Sequence, residues 1–192
     1  MTSDSSTGGF LSPSGSPPLD DDALDDFLQA LVVGITGLPG QMVRPRWQEE
    51  PPNLPPVGTN WAAIGVTHRT ADTFAVEQHD GSGQGADTLI RHESVDLLCS
   101  FYGPLAETNG ALLRDGLGIA QNREVLQANS MGIVSVGDLT KAPELVKNRW
   151  LNRTDLTVVI RRQITRTYPV LNLLSAEITL ETDAATKIIN VA

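Results

Sequence analysis

The stretch GQMVRPRWQEEPPNLPPVGTN, residues 40–60, holds five of the chain's twelve prolines. Proline has no backbone N–H and a locked φ, so neither a helix nor a central strand survives that density. The span 41–59 therefore reads as an extended Pro-rich arm. Arms of that length in a compact domain are functional or reach a neighbour.

Before the arm, LDDDALDDFLQALVVG places Leu24, Phe27, Leu28, Leu31 and Ile35 at helical spacing. The aspartates ahead of them supply an N-cap and suit the positive end of the helix dipole, and Gly34 and Gly37 are expected to stop the helix. Residues 1–19 are Ser, Gly and Pro with almost no apolar content, which predicts a flexible tail ahead of one domain over 20–192. No run of about eighteen apolar residues occurs, so nothing is expected to span a membrane. The N-terminus lacks the basic start and apolar middle of a secretory signal, so the chain reads as soluble and cytosolic.

After the arm, WAAIGVTH and TFAVEQHD read as strands and DGSGQG as a turn. ADTLIRHESVDLLCSFYG reads as a long strand, with Val95, Leu97, Cys99 and Phe101 on one side and Ser94, Asp96 and Ser100 on the other. From Leu105 to Ala128 the period returns to 3.6, with Leu105, Leu112, Leu113, Gly116, Leu117 and Ala120 on one stripe. Two glycines there suggest a closely packed backbone or a local break. MGIVSVGDL is a short strand and APELVKNRW a short helix with Pro143 in its first turn. DLTVVIRRQITRTYPV puts Leu156, Val158, Ile160 and Ile164 on one face. LLSAEITLET alternates Leu174, Ala176, Ile178 and Leu180 against Ser175, Glu177, Thr179 and Glu181. The order predicts an α+β fold, with a mixed, mostly antiparallel sheet flanked by two main helices.

LVVGITGLPG has three evenly spaced glycines after an apolar run, as a phosphate loop might. A P-loop needs Gly-Lys and Ser or Thr between strand and helix. Here the order is helix then loop, and no Lys occurs before Lys141. The stretch reads as a helix C-cap and a Pro-Gly turn. His68, His79 and His92 lack the i, i+2 spacing of strand ligands and read as surface or hairpin histidines. Cys99, the single cysteine, reads as a buried structural thiol. Glu93 and Asp96 point to opposite strand faces and cannot act as a pair. No catalytic residues, cofactor or metal are called.

The net charge of −9 is uneven: residues 1–26 hold six acids and no Lys or Arg, so the rest carries 14 basic against 17 acidic groups, or −3. A near-neutral body argues against a broad grip on nucleic acid. Arg149, Arg153, Arg161, Arg162 and Arg166 face one acid in their span, Asp155, giving a local +4. They read either as a solvated strand surface or as a patch facing an acidic partner. On the arm, Arg44, Arg46 and Trp47 are of the types most enriched at interface hot spots. They dock either on their own domain or on a neighbour. The candidate interface set is thus Arg44, Arg46, Trp47, Arg161, Arg162 and Arg166.

The segments LVVGITGLPGQMVRPRWQ, PPNLPPVGTNWAAIGV, DLLCSFYGP, LRDGLGIAQNREVL and PELVKNRWLNRTDLTVVIRRQITRTY together resemble the phage neck (tail) terminator family of contractile-tailed bacteriophages, over about residues 24–182. The resemblance implies a structural virion protein at the tail–neck junction, synthesised in the host cytoplasm. It implies a homo-oligomeric ring, usually a hexamer, that caps the tail tube and joins it to the neck or connector, with sheath protein as a further contact. DNA would pass through the lumen without specific binding. The alternatives are another ring-forming tail- or head-completion connector and, behind it, a virion-associated hydrolase.

Overall fold

In the computed structural model, residues 3–50, 52–146, 148–173, 176–182 and 185–191 are described, the last two spans as backbone only. Two compact units are present. The larger comprises residues 17–74 and 91–164; the smaller comprises the described residues within 1–16, 75–90 and 165–192.

The larger unit opens with helix α1, Asp21–Thr36. Its 3.6 periodicity buries Leu24, Leu28, Leu31 and Val32, as the apolar spacing predicts. Two details differ from expectation. Gly34 lies inside the helix, which ends instead at Gly37, whose φ of 71° lets its N–H reach the Val33 carbonyl at 2.9 Å. Asp20 holds the N-cap position but makes no side-chain cap bond, because its carboxylate is drawn elsewhere.

The arm passes through a 3₁₀ turn, Gly40–Met42, into strand β1, Val43–Pro45, which pairs in parallel with β2, Trp61–Ala71. β1 sits at the sheet edge, where proline is tolerated. β2 pairs antiparallel with β4, Ala86–Tyr102, from Trp61↔Tyr102 to Ala71↔Glu93, with a register shift between Val66 and His68. The sequence from 105 to 128 is not one helix. It forms α2, Ala106–Gly116, and α3, Ala120–Ala128. Gly116 and Gly118 mark the break, and the Asn122 side chain caps the Gly116 carbonyl at 2.9 Å. Gly116 is required there by packing: a Cβ would collide with Ile35 Cγ2 of α1.

Strands β5, Met131–Val136, and β6, Thr140–Lys141, follow. The predicted short helix after Pro143 is instead a hairpin of β7, Glu144–Val146, and β8, Arg149–Leu151. A helix of that length cannot offset its nucleation cost. Asn148, at φ 61°, adopts the left-handed conformation Asn tolerates at a turn. β9, Arg153–Tyr168, completes the order β1-β2-β4-β9-β5, with β6 also on β9.

Strict alternation divides this sheet into two faces. On one, Ala62, Ile64, Val95, Leu97, Cys99, Phe101, Leu156, Val158 and Ile160 are buried, and all of these except Val95 meet the helices in a core with Leu28, Leu113 and Leu126. On the other, Trp61, Tyr102 and Leu151 form a small second cluster beneath the arm and the β7–β8 hairpin.

In the smaller unit, β3, Val76–Asp80, pairs with the start of β4, from Asp80↔Ala86 to Val76↔Ile90. Ser14 bridges to Thr167. β10, Ala176–Thr182, and β11, Ala185–Val191, form a hairpin. β11 was not anticipated. Leu174 and Ser175 of the predicted alternation lie outside the described residues, as do the side chains of Ala176–Thr182.

Candidate functional site

The arm's candidate contact residues Arg44 and Arg46 are held by the sheet face that the helices leave uncovered. Arg44 points its guanidinium over the Trp61 ring, 5.8 Å from the centroid, and donates to the Gln41 and Asn53 carbonyls at 3.2 and 2.8 Å. Trp61 in turn stacks on its cross-strand partner Tyr102, centroids 4.2 Å apart and planes 8° from parallel. Arg46 continues the parallel ladder, its N–H donating to the Ile64 carbonyl at 2.7 Å, and its guanidinium donates to Ser100.

A polar chain extends from that bond. Ser100 Oγ donates to Asp155 at 2.5 Å, and Arg153 holds Asp155 in a two-pronged pair at 2.7 and 2.8 Å while also pairing with Glu144. Arg153 lies over the Tyr102 ring at 5.8 Å. Asp155 foremost, and Glu144 with it, hold the Arg153 guanidinium above its usual value. The arm is thus fastened to β4, β9 and the hairpin.

Trp47 is treated differently. It has a φ of 56°, strained for a bulky residue, and 73% of its surface is exposed. Its ring edge lies against Gly65, where a Cβ would come 2.9 Å from Cζ3. It forms one wall of an open depression of about 330 Å³, with Asp25, Val66, Thr67, His68 and Arg69. Burial and the neighbouring Asp22 raise the Asp25 carboxyl above its ordinary range.

The arginines of β9 do not form one patch. Arg161 faces outward and is paired with Asp72 at 2.7 and 3.0 Å. Arg162, one step on, falls on the core face and is 3% exposed. It binds Glu93 at 2.6 Å, Asp20 at 2.6 Å and the Leu19 carbonyl. Despite partial burial, which pulls the other way, Arg162 and then Arg69 hold the Asp20 carboxyl below its ordinary value. Arg166 lies near the end of β9, within the smaller unit.

One exposed apolar feature escaped the sequence reading. Leu145 and Trp150 are cross-strand partners on the β7–β8 hairpin and are 60% and 68% exposed. Two short apolar runs flanking Asn148 were the available signal. Cys99 is fully buried, as expected, and burial pushes its thiol up to about 12. Glu93 and Asp96 lie on opposite faces, the former with Arg162. Among the described residues, no group of three His, Cys, Asp or Glu side chains is placed to hold a metal. No helix among them is long and apolar enough to cross a membrane.

The site therefore offers exposed aromatic and aliphatic side chains on a rigidly fastened frame, a geometry suited to protein contact. A comparison with curated proteins finds no match. The phage neck terminator protein family matches residues 22–183, from the start of α1 through β10, and the chain belongs to that family.

Proposed function

We propose that this neck terminator protein assembles head-to-tail into a closed ring of about six copies that ends the tail tube and joins it to the neck or connector. Family membership supports a structural role at the phage tail–neck junction. The observation that carries the finer reading is Trp47: an exposed aromatic in a strained backbone, on an arm fastened through Arg46 and Ser100. Strain of this kind costs about 1–3 kcal/mol and persists where the surroundings over-determine it. A frame spent on displaying a tryptophan to solvent fits an interface anchor, and a ring needs heterologous contacts that close. Arg44 and Arg46 position the arm, Trp47 provides its contact, and outward-facing Arg161 is a further contact with a neighbouring copy. Arg162 would contribute indirectly, by fixing the start of α1, and Arg166 is a further candidate contact.

The test is the native mass of the full chain over a wide concentration range, with negative-stain images of the same sample. Rings of about six copies, formed alone or on tail-tube protein, support the reading; a monomer or two-fold dimer indifferent to tail tubes sinks it. Trp47→Ala is expected to abolish ring formation while changing the stability of the isolated chain by no more than about 0.5 kcal/mol, as for an exposed side chain. Unchanged oligomer mass would remove Trp47 from the interface.

A further inference from the structure

His79 is the outward-facing histidine of the β3–β4 hairpin, and both its ring nitrogens meet oxygen acceptors. Nδ1 lies 2.5 Å from Asp87 Oδ1, and Nε2 lies 2.7 Å from Asn172 Oδ1. A carboxylate only accepts, so Nδ1 must carry a proton. The Asn172 amide cannot turn over to offer its nitrogen instead. Its Nδ2 donates to the Gly81 carbonyl at 2.8 Å and the Gly83 carbonyl at 3.3 Å, and reversal would set oxygen against both. Nε2 must therefore also donate. Only the imidazolium carries both protons, so the arrangement is complete only when His79 is charged.

The geometry around it is built for close approach. Asn172 N–H donates to the Gln84 carbonyl at 2.8 Å, and the Ser82 N–H is held by Asp80 at 2.9 Å. Gly85, at φ 94°, leaves the needed space: a Cβ there would lie 2.7 Å from the Asn172 nitrogen and from the Val170 carbonyl. The charged groups facing the ring are Asp87 on β4 and Asp80 on β3, both acidic. No basic group opposes them among the interactions described at this ring.

We infer that His79 is a proton-operated clasp, whose imidazolium ties residues 170–173 to the tip of the β3–β4 hairpin and whose deprotonation releases them. The bond to Asp87 and then that to Asn172 raise the His79 pKa above its ordinary value. A raised folded-state pKa means that the tie is fully present below the unfolded-state value and is lost as pH climbs through the folded-state value. The neutral ring keeps the proton facing the Asp87 charge and turns a lone pair toward Asn172, so that contact fails first. In sequence, the segment released precedes the β10–β11 hairpin, which begins at Ala176. The inference does not depend on ring formation.

The experiment has two readouts on the full chain. Side-chain ¹⁵N NMR follows the His79 titration, and hydrogen exchange, corrected for the intrinsic pH dependence, follows the amides of residues 170–173. The expected midpoint lies above the value of about 6.5 of a free histidine, with both ring nitrogens protonated below it. Protection of the 170–173 amides should fall as pH rises above about 6.5 and through the folded-state midpoint, by up to about tenfold for each pH unit by which the midpoint exceeds the free value. His79→Gln should show weak, pH-independent protection, and Asp87→Asn should lower the His79 midpoint. A midpoint at or below the free value overturns the inference. So does protection that stays constant while His79 loses its proton, or that His79→Gln leaves at the wild-type level.

Discussion

Arg162 sits between Ile160 and Ile164 on a face that is otherwise apolar, where a lone guanidinium would be prohibitive. Three acceptors make it tolerable: Glu93 on the adjacent strand, Asp20 at the head of α1 and the Leu19 carbonyl. The same contacts explain why Asp20 forgoes its capping bond. Removing one partner of a buried pair leaves the other charge uncompensated, at about 3–5 kcal/mol. Arg162 would retain two acceptors after Glu93→Ala, so a loss of about 2–4 kcal/mol is expected in urea unfolding at neutral pH. The double change Glu93→Leu with Arg162→Met should cost less than the sum of the single changes, since an apolar pair replaces a buried ionic one. Additive losses would show that Glu93 and Arg162 are not coupled.

At the scale of elements, the junction of α1 and α2 depends on a missing side chain. Gly116→Ala would ordinarily favour a helix by up to about 1 kcal/mol. Here the added methyl meets Ile35 Cγ2, a branched atom close to its own backbone that cannot swing aside. Overpacking of this kind costs about 1–3 kcal/mol, so the sign reverses and Tm is expected to fall. Combining it with Ile35→Ala should recover part of the loss. A rise in Tm for Gly116→Ala alone would show that α2 is free to move away from α1. The β7–β8 hairpin makes the complementary point: Leu151 anchors it against Trp61 and Tyr102, while Leu145 and Trp150 stay outside.

For the whole molecule, charge is the property that bears most on function. The net charge is −9, with six acids and no bases in the first 26 residues. Three of the arginines in the +4 span are paired with acids: Arg153 with Asp155 of the same span and with Glu144, Arg161 with Asp72, and Arg162 with Glu93 and Asp20. With Arg153, Arg161 and Arg162 paired in this way, the chain is expected to bind duplex DNA weakly. Fluorescence anisotropy at low salt should find no affinity of micromolar or tighter. Such binding, weakening steeply with added salt, would overturn this expectation.

Much of the fold was legible because its signals are local. Proline density confined β1 to an edge, period-2 alternation identified the buried faces of β4 and β9, and 3.6 periodicity identified α1. Residue 162 shares the parity of Leu156, Val158, Ile160 and Ile164, yet its charge grouped it with the surface arginines, and the structure buries it. The short stretch 144–151 was misread because its few residues satisfy either period and its choice is made by packing on Trp61 and Tyr102. The site was less legible than the fold. That Trp47 is displayed rather than buried, that Arg46 fastens the arm, and that Arg162 is consumed inside the protein depend on partners far away in sequence. Glu93 and Asp20 lie 69 and 142 positions from Arg162. The sequence by itself determined which residues alternate, turn and stop; the tertiary structure alone decided which charges meet, because burial and ion pairing act through distance in space rather than along the chain.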